Sequence, residues 1–139
     1  MMDIIDAISI RLNEIFGDGY TIYLESVEQD LQTPCFFIQP IDSMDSNMIY
    51  TRKHRIMSFV VDYIPEDDGK HRYQFTEVHD KLFDSFDSVT LPNGVELSTF
   101  DRSINITDDI LHFIVRFKVY GYRDVPEEEM QETMDISVI

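Results

Sequence analysis

The chain is predicted to fold as one α+β domain, with two helices packed on one face of a largely antiparallel, curled β-sheet. Three observations lead to this prediction. Apolar residues recur every three or four positions in two segments, they alternate every second position in several others, and they make up 43% of the chain. We expect the domain to span residues 1–123, in the order α-β-β-β-α-β-β-β, and residues 124–139 to form an acidic C-terminal tail.

The first helix is predicted at the start of the chain, where apolar residues share one face. This face is formed by Ile4, Ile8, Leu12 and Ile15. Asp3 is placed to cap the first turn, and Gly17 ends the helix. From Tyr20 to Leu24 the period changes to two, which predicts a short strand.

The second strand is predicted from "CFFIQPI", which lies between Pro34 and a segment rich in Asp and Ser. Because Pro40 donates no backbone hydrogen bond, this strand is expected at or near a sheet edge. The following "IDSMDSNM" reads as a loop. The third and longest early strand is predicted from "IYTRKHRIMSFVVDYIP", in which Met57, Phe59 and Val61 share one side.

The second helix is predicted over about "YQFTEVHDKLFDSF", where Phe75, Val78, Leu82 and Phe86 recur at helical spacing. "PNG" then predicts a tight turn between short strands. The rest reads as a hairpin that turns at residues 107–109. Its last strand has a continuous apolar face and is expected in the middle of the sheet: Leu111, Phe113, Val115, Phe117 and Val119.

Charge argues against several classes of partner. The formal net charge is −16, from 27 acidic and 11 basic residues, so the protein repels nucleic-acid phosphates and anionic lipids. No apolar run approaches the roughly 18 residues that a membrane helix needs, and no cleavable leader is recognisable. We therefore expect no specific nucleic-acid binding and no membrane association. The lone Cys35 is expected to be a buried, inert thiol.

The largest local departure from this acidity is "YTRKHR", which carries Arg52, Lys53 and Arg55. Two interpretations stay open for it. It is either a solvated hairpin arm, or a contact with an acidic surface such as a neighbouring copy of the protein.

The sequence contains no recognisable catalytic or metal-binding motif. His54, His71, His79 and His112 have no zinc-ligand spacing, and the residues after Asp67, Asp68 and Gly69 are basic where calcium ligands should follow. No phosphate-binding glycine motif or nucleophile elbow occurs. We therefore expect no catalytic residues, no metal, no cofactor and no enzymatic activity.

Several segments resemble a family of small bacteriophage tail terminator proteins, found in phages and prophages of Gram-positive bacteria. The resemblance begins with "IY.E.V.Q" from Ile22 to Gln29 and "PCFFI" at residues 34–38. It continues through Tyr63 and Pro65 to "DDILHFIVRFKVYGYR", and it covers about residues 4–134.

This resemblance implies a structural protein of the virion without an active site. It implies a hexameric ring that caps the tail tube, stops tube growth and contacts the head–tail connector. The expected partners are other copies of the chain, the tail tube protein and the connector protein, with assembly in the host bacterial cytoplasm. A head–tail connector or neck protein of the same particle is one alternative. An acidic DNA mimic that inhibits a basic protein is another.

On this interpretation the tail has a use. We expect it to lie across a neighbouring subunit, with its Glu residues facing either water or the basic segment that carries Arg52, Lys53 and Arg55. Its apolar contact residues would be Met130, Met134, Ile136 and Val138. A frayed terminus is the alternative.

Overall fold

The computed structural model describes residues 2–24, 31–47 and 52–122 of the 139-residue chain. Its elements follow the predicted order α-β-β-β-α-β-β-β. They are α1 (Met2–Phe16), β1 (Thr21–Tyr23), β2 (Cys35–Asn47), β3 (Arg52–Ile64), α2 (His71–Ser85), β4 (Ser88–Thr90), β5 (Glu96–Thr107) and β6 (Ile110–Tyr122).

The described strands form one six-stranded sheet in the order β1-β2-β3-β6-β5-β4. β1 runs parallel to β2, and every other neighbouring pair is antiparallel. The sheet curls into a half-barrel, which confirms the predicted α+β fold. β6 lies between β3 and β5, so the strand with the longest apolar face does occupy the middle of the sheet.

The core lies between the concave face of the sheet and the two helices. Every residue predicted on the inner face of β6 is buried, as are Phe59, Val61 and Tyr63 of β3. Their helix partners include Leu12 of α1 and Leu82 of α2, both fully buried. These residues form one hydrophobic cluster, because a two-residue period in the strands and a helical period in α1 and α2 direct them to the same layer.

The predicted loop "IDSMDSNM" is wrong over residues 41–47, which belong to β2. Asp42 lies opposite Ser58 and Asn47 lies opposite Lys53, so β2 and β3 form a long hairpin arm. Backbone hydrogen bonds to β3 outweigh the low strand propensity of Asp, Ser and Asn, because an extended β3 offers a complete ladder of donors and acceptors. Met48 lies outside the described residues.

The predicted hairpin turn between β5 and β6 is confirmed. Asp108 and Asp109 both have positive φ, at 54° and 61°, as a two-residue turn of the primed type requires. The "PNG" turn is also present, with Gly94 at φ 89°. Cys35 is fully buried and free, as predicted. None of the helices in the described residues is long and apolar enough to span a membrane.

Candidate interaction surfaces

Within the described residues, no group of three or more His, Cys, Asp and Glu side chains could hold a metal ion. His54 lies in β3 and His112 in β6, whereas His71 and His79 lie on α2. His112 Nδ1 pairs with the carboxylate of Asp62, opposite it on the outer face of the sheet.

One open groove lies between α2 and the end of the β5–β6 hairpin, with a volume of about 610 Å³. It combines apolar and charged residues of both signs: His71, Arg72, Phe75, Thr76, His79, Asp80, Ile106 and Asp109. His79 Nδ1 is 3.3 Å from an oxygen of Asp80, and the His79 ring lies edge-on against Phe83. These contacts hold the imidazole on the helix surface.

The basic residues predicted as contacts lie at the start of β3. Arg52 is opposite Tyr122 of β6, Lys53 is opposite Gly121 and Asn47, and Arg55 is opposite Val119. They therefore belong to a three-stranded arm, rather than to a loop. The predicted tail contacts Met130, Met134, Ile136 and Val138 lie outside the described residues.

The two faces of the domain differ in charge. The helical layer and its adjoining loops expose Asp3, Glu14, Asp18, Glu66, Asp67, Asp68, Glu77, Asp80, Asp84 and Asp87. Of these, Glu14 pairs with Arg11, Glu77 with Lys81, Asp80 with His79 and Asp87 with Arg102. On the outer face of the sheet, Asp62 pairs with His112, and Asp101 pairs with Arg116 at 3.0 Å. Val60 and Ile114 lie opposite each other between these pairs and are only partly buried. This face combines ion pairs with partly exposed apolar side chains, which suits a protein contact.

Two β-bulges lie on opposite sides of the four long strands. In β2 the register shifts between Pro40 and Asp42, leaving Ile41 as the extra residue. In β5 the register shifts between Thr99 and Asp101, leaving Phe100 as the extra residue. Ile41 is 47% exposed and Phe100 is 48% exposed, so each bulge turns a large apolar side chain toward solvent.

Arg102 fixes the second bulge to α2. Its guanidinium Nη1 donates to the carbonyl oxygens of Phe83 and Phe86 at 3.1 Å and lies 3.3 Å from that of Leu82. The same group lies 5.5 Å from the centre of the Phe83 ring. Leu82 O also accepts from the backbone N–H of Phe86 at 2.9 Å. The cation supplies partners to carbonyls that the end of the helix leaves short of donors, and it opposes the negative end of the helix dipole. The β5 backbone is therefore anchored to α2 two residues after Phe100.

The groups with shifted pKa values are structural. Burial raises the pKa of the Cys35 thiol, and burial is also the largest cause that raises the pKa of the Tyr20 and Tyr63 hydroxyls. The carboxylate of Glu77 adds to the effect on both tyrosines. Tyr63 donates its hydroxyl hydrogen bond to Gln74 Oε1 at 2.8 Å, which ties β3 to α2. Each group is held neutral, so none is activated for proton transfer.

Sequence reasoning missed both bulge residues. A signal for Phe100 is present in β5, since the buried Leu97 and the partly buried Thr99 are odd-numbered whereas the partly buried Arg102 and Ile104 are even-numbered. Such a change of phase inside one strand indicates an extra residue. For Ile41 the apolar pattern stops after Ile38, and the sequence offers no comparable signal.

A family model described as phage tail terminator protein matches residues 3–130, which is most of the chain. No curated protein matches the chain.

Proposed function

Since the chain belongs to the phage tail terminator family and is thus a structural protein of a phage tail, we propose that it forms a ring at the end of the tail tube. This ring stops tube growth and then contacts the head–tail connector. The observation that carries the proposal is the family match over residues 3–130. The hexamer that the resemblance implies is the expected ring.

The geometry supports a role in assembly through its surfaces. The sheet has one face covered by helices and a second, outer face on which partly exposed apolar residues lie between ion pairs. Contacts of a ring are heterologous, because one surface of each copy meets a different surface of the next. The exposed bulges at Ile41 in β2 and at Phe100 in β5 lie on opposite sides of the sheet and differ in sequence, so the domain has the two unlike surfaces that such a contact needs.

We also propose that the C-terminal tail crosses to a neighbouring subunit. β6 ends at Tyr122, directly opposite Arg52, so the chain leaves the sheet beside the basic residues of β3. Six acidic residues follow between positions 124 and 135, and their attraction to Arg52, Lys53 and Arg55 would guide the tail along the arm. Met130, Met134, Ile136 and Val138 would then supply the apolar contacts.

The tail proposal is tested with the full-length chain, in which these four apolar residues are replaced by Ser. The expected result is a lower mass by light scattering and an unchanged thermal unfolding temperature. The matched control replaces the surface residues Ile10 and Tyr73 by Ser, which are 54% and 77% exposed on the helices. Equal masses for both variants and the original chain would contradict a role for the tail in assembly.

Termination itself is tested by adding the purified protein to tail tube protein while it polymerises, and by measuring tube lengths in electron micrographs. We expect shorter tubes that carry a ring at one end. A connector or neck protein would leave the length distribution unchanged, because it joins a tube that has already been capped. Tubes of unchanged length would therefore overturn the proposed terminator function.

A further inference from the structure

We infer that the two bulges contact each other between copies, so that Ile41 and Asp42 of one copy pack against Phe100 and Lys118 of the next. We name the first pair the acidic edge and the second pair the basic edge. The inference rests on the proposed ring, and it specifies which surfaces form the contact. The apolar and oppositely charged side chains of the two edges favour a second copy of this chain as the partner.

The bulge residue of each edge, Ile41 or Phe100, lies just past a short strand that ends the sheet. β1 pairs only with residues 35–37 of β2, and Ile41 comes four residues later, about 13 Å further along the strand. β4 pairs only with residues 96–98 of β5, and Phe100 comes two residues later. Within the described residues no strand covers either bulge. Both bulges are therefore accessible to a second copy, and the neighbouring short strands β1 and β4 restrict the directions from which that copy can approach.

The two bulges lie at nearly the same position along the strand direction. Ile41 falls between positions opposite Phe59 and Ser58, and those two residues lie opposite Val115 and Arg116 of β6. Phe100 falls between positions opposite Phe117 and Arg116. The bulges thus differ by about one residue along β6, or roughly 3.4 Å. A contact between them therefore shifts each copy only slightly along the strand direction relative to the one before. This small shift favours a closed ring over an open helical filament.

The charges of the two edges are complementary. Asp42 is exposed on the acidic edge, and Lys118 Nζ lies 5.0 Å from the centre of the Phe100 ring on the basic edge. Neither group has an ion-pair partner within the part of the chain that the structure describes. Other charges near the bulges are already matched, as Arg116 pairs with Asp101 and Arg102 with Asp87. Contact between the edges would pair Asp42 with Lys118 beside a desolvated Ile–Phe contact.

Cysteine crosslinking tests the contact directly. The variant Ile41→Cys/Phe100→Cys is treated with a short bismaleimide, alone and in the presence of tail tubes. We expect a ladder of dimers, trimers and larger species on denaturing gels. Each single-cysteine variant should stay unlinked, because a heterologous contact never brings two copies of the same residue together. An equimolar mixture of the two single variants should stop at dimers. Cys35 does not interfere, since it is fully buried.

Substitution tests whether the contact stabilises the assembly. Ile41→Asp and Phe100→Asp should each weaken association by roughly tenfold or more, as residues at the centre of a contact do. Ile10→Asp and Tyr73→Asp are the matched controls on the helical surface and should leave association unchanged. Asp42→Lys and Lys118→Asp should each weaken it by roughly two- to fivefold, as expected for an exposed ion pair, and combining them should restore it.

The outcomes separate this inference from the proposed function. Rings seen by electron microscopy without a ladder from the double-cysteine variant would overturn the edge contact and leave the ring standing. A crosslinked dimer from either single-cysteine variant would also overturn it, since this result indicates a two-fold contact. Tubes of unchanged length, with neither rings nor a ladder, would overturn both proposals.

Discussion

Replacing Arg102 by Met tests how the β5 bulge is held against α2. The substitution keeps a long apolar stem but removes the guanidinium that lies among the carbonyl oxygens of Leu82, Phe83 and Phe86. Those carbonyls end α2 and have few partners within the helix. The variant should therefore unfold more easily, and the loss should be larger than for an ordinary surface arginine.

The size of the loss follows from the geometry. Hydrogen bonds to a charged group contribute about 1.5–3 kcal/mol each, but Nη1 has only two hydrogens to share among three carbonyls. The Arg102 side chain is 25% exposed, so water replaces part of what is lost. Its attraction to the helix dipole adds about 0.3–1 kcal/mol. The free energy of unfolding should fall by about 2–3 kcal/mol, which corresponds to a fall in melting temperature of roughly 6–12 °C for a domain of this size.

Urea denaturation followed by circular dichroism measures this loss. Arg72→Met is the matched control, because Arg72 is exposed on α2 and its side chain forms no hydrogen bond or ion pair within the described residues. The control should change the free energy of unfolding by less than about 0.5 kcal/mol. Equal midpoints for the two variants would show that the guanidinium does not stabilise the end of α2. Arg102→Met should also weaken crosslinking through Phe100→Cys, because the bulge is then less firmly positioned.

Three further predictions concern the core, the tyrosines and the hairpin turn. Phe113→Ala should lower the free energy of unfolding by about 3–5 kcal/mol in urea denaturation, because Phe113 is fully buried with its ring 5.3 Å from that of Phe86; a loss below about 1 kcal/mol would contradict this packing. Burial raises the folded-state pKa of Tyr63 above its ordinary value of 10.0, so its stabilising effect is complete below pH 10 and is lost as pH rises above it. Thermal unfolding at increasing pH should therefore show a shallower decline above pH 10 for Tyr63→Phe than for the original chain; parallel curves would be evidence against a buried, protonated Tyr63. Asp109→Gly should raise the free energy of unfolding by about 0.5–1 kcal/mol, and with it the melting temperature measured by calorimetry, because Asp109 has a positive φ of 61° that glycine adopts without strain. A lower melting temperature would mean that the Asp side chain stabilises the turn by more than its backbone conformation costs.

The proposed ring has a physical consequence for the acidic surface. In a ring built through the two edges, the strands run across the closure direction and the charged helical layer stays exposed. A net charge of −16 on each copy opposes close approach of many copies, so the contact must be local and matched in charge. Association should accordingly strengthen as salt screens this repulsion, even though salt weakens the pair of Asp42 and Lys118.

Local pattern was enough to predict the order of elements. The helical period of Ile4, Ile8 and Leu12 and the alternation along β6 depend only on which side of an element each residue faces. The turn at residues 107–109 was likewise predictable, because Asp at two adjacent positions tolerates positive φ better than most residues. Such features need no knowledge of what lies across the chain.

The features that matter for assembly depend on partners far away in the sequence. Residues 42–47 read as a loop, yet they form a strand because β3 is extended beside them. Ile41 and Phe100 lie at nearly the same position along the strand direction. This match depends on three successive strand pairings, from β2 through β3 and β6 to β5. Arg102 meets the end of α2 only once the β5 bulge has turned it inward. Register between distant strands is a property of the whole sheet, because each backbone group must find its partner on a neighbouring strand, and no local pattern specifies it.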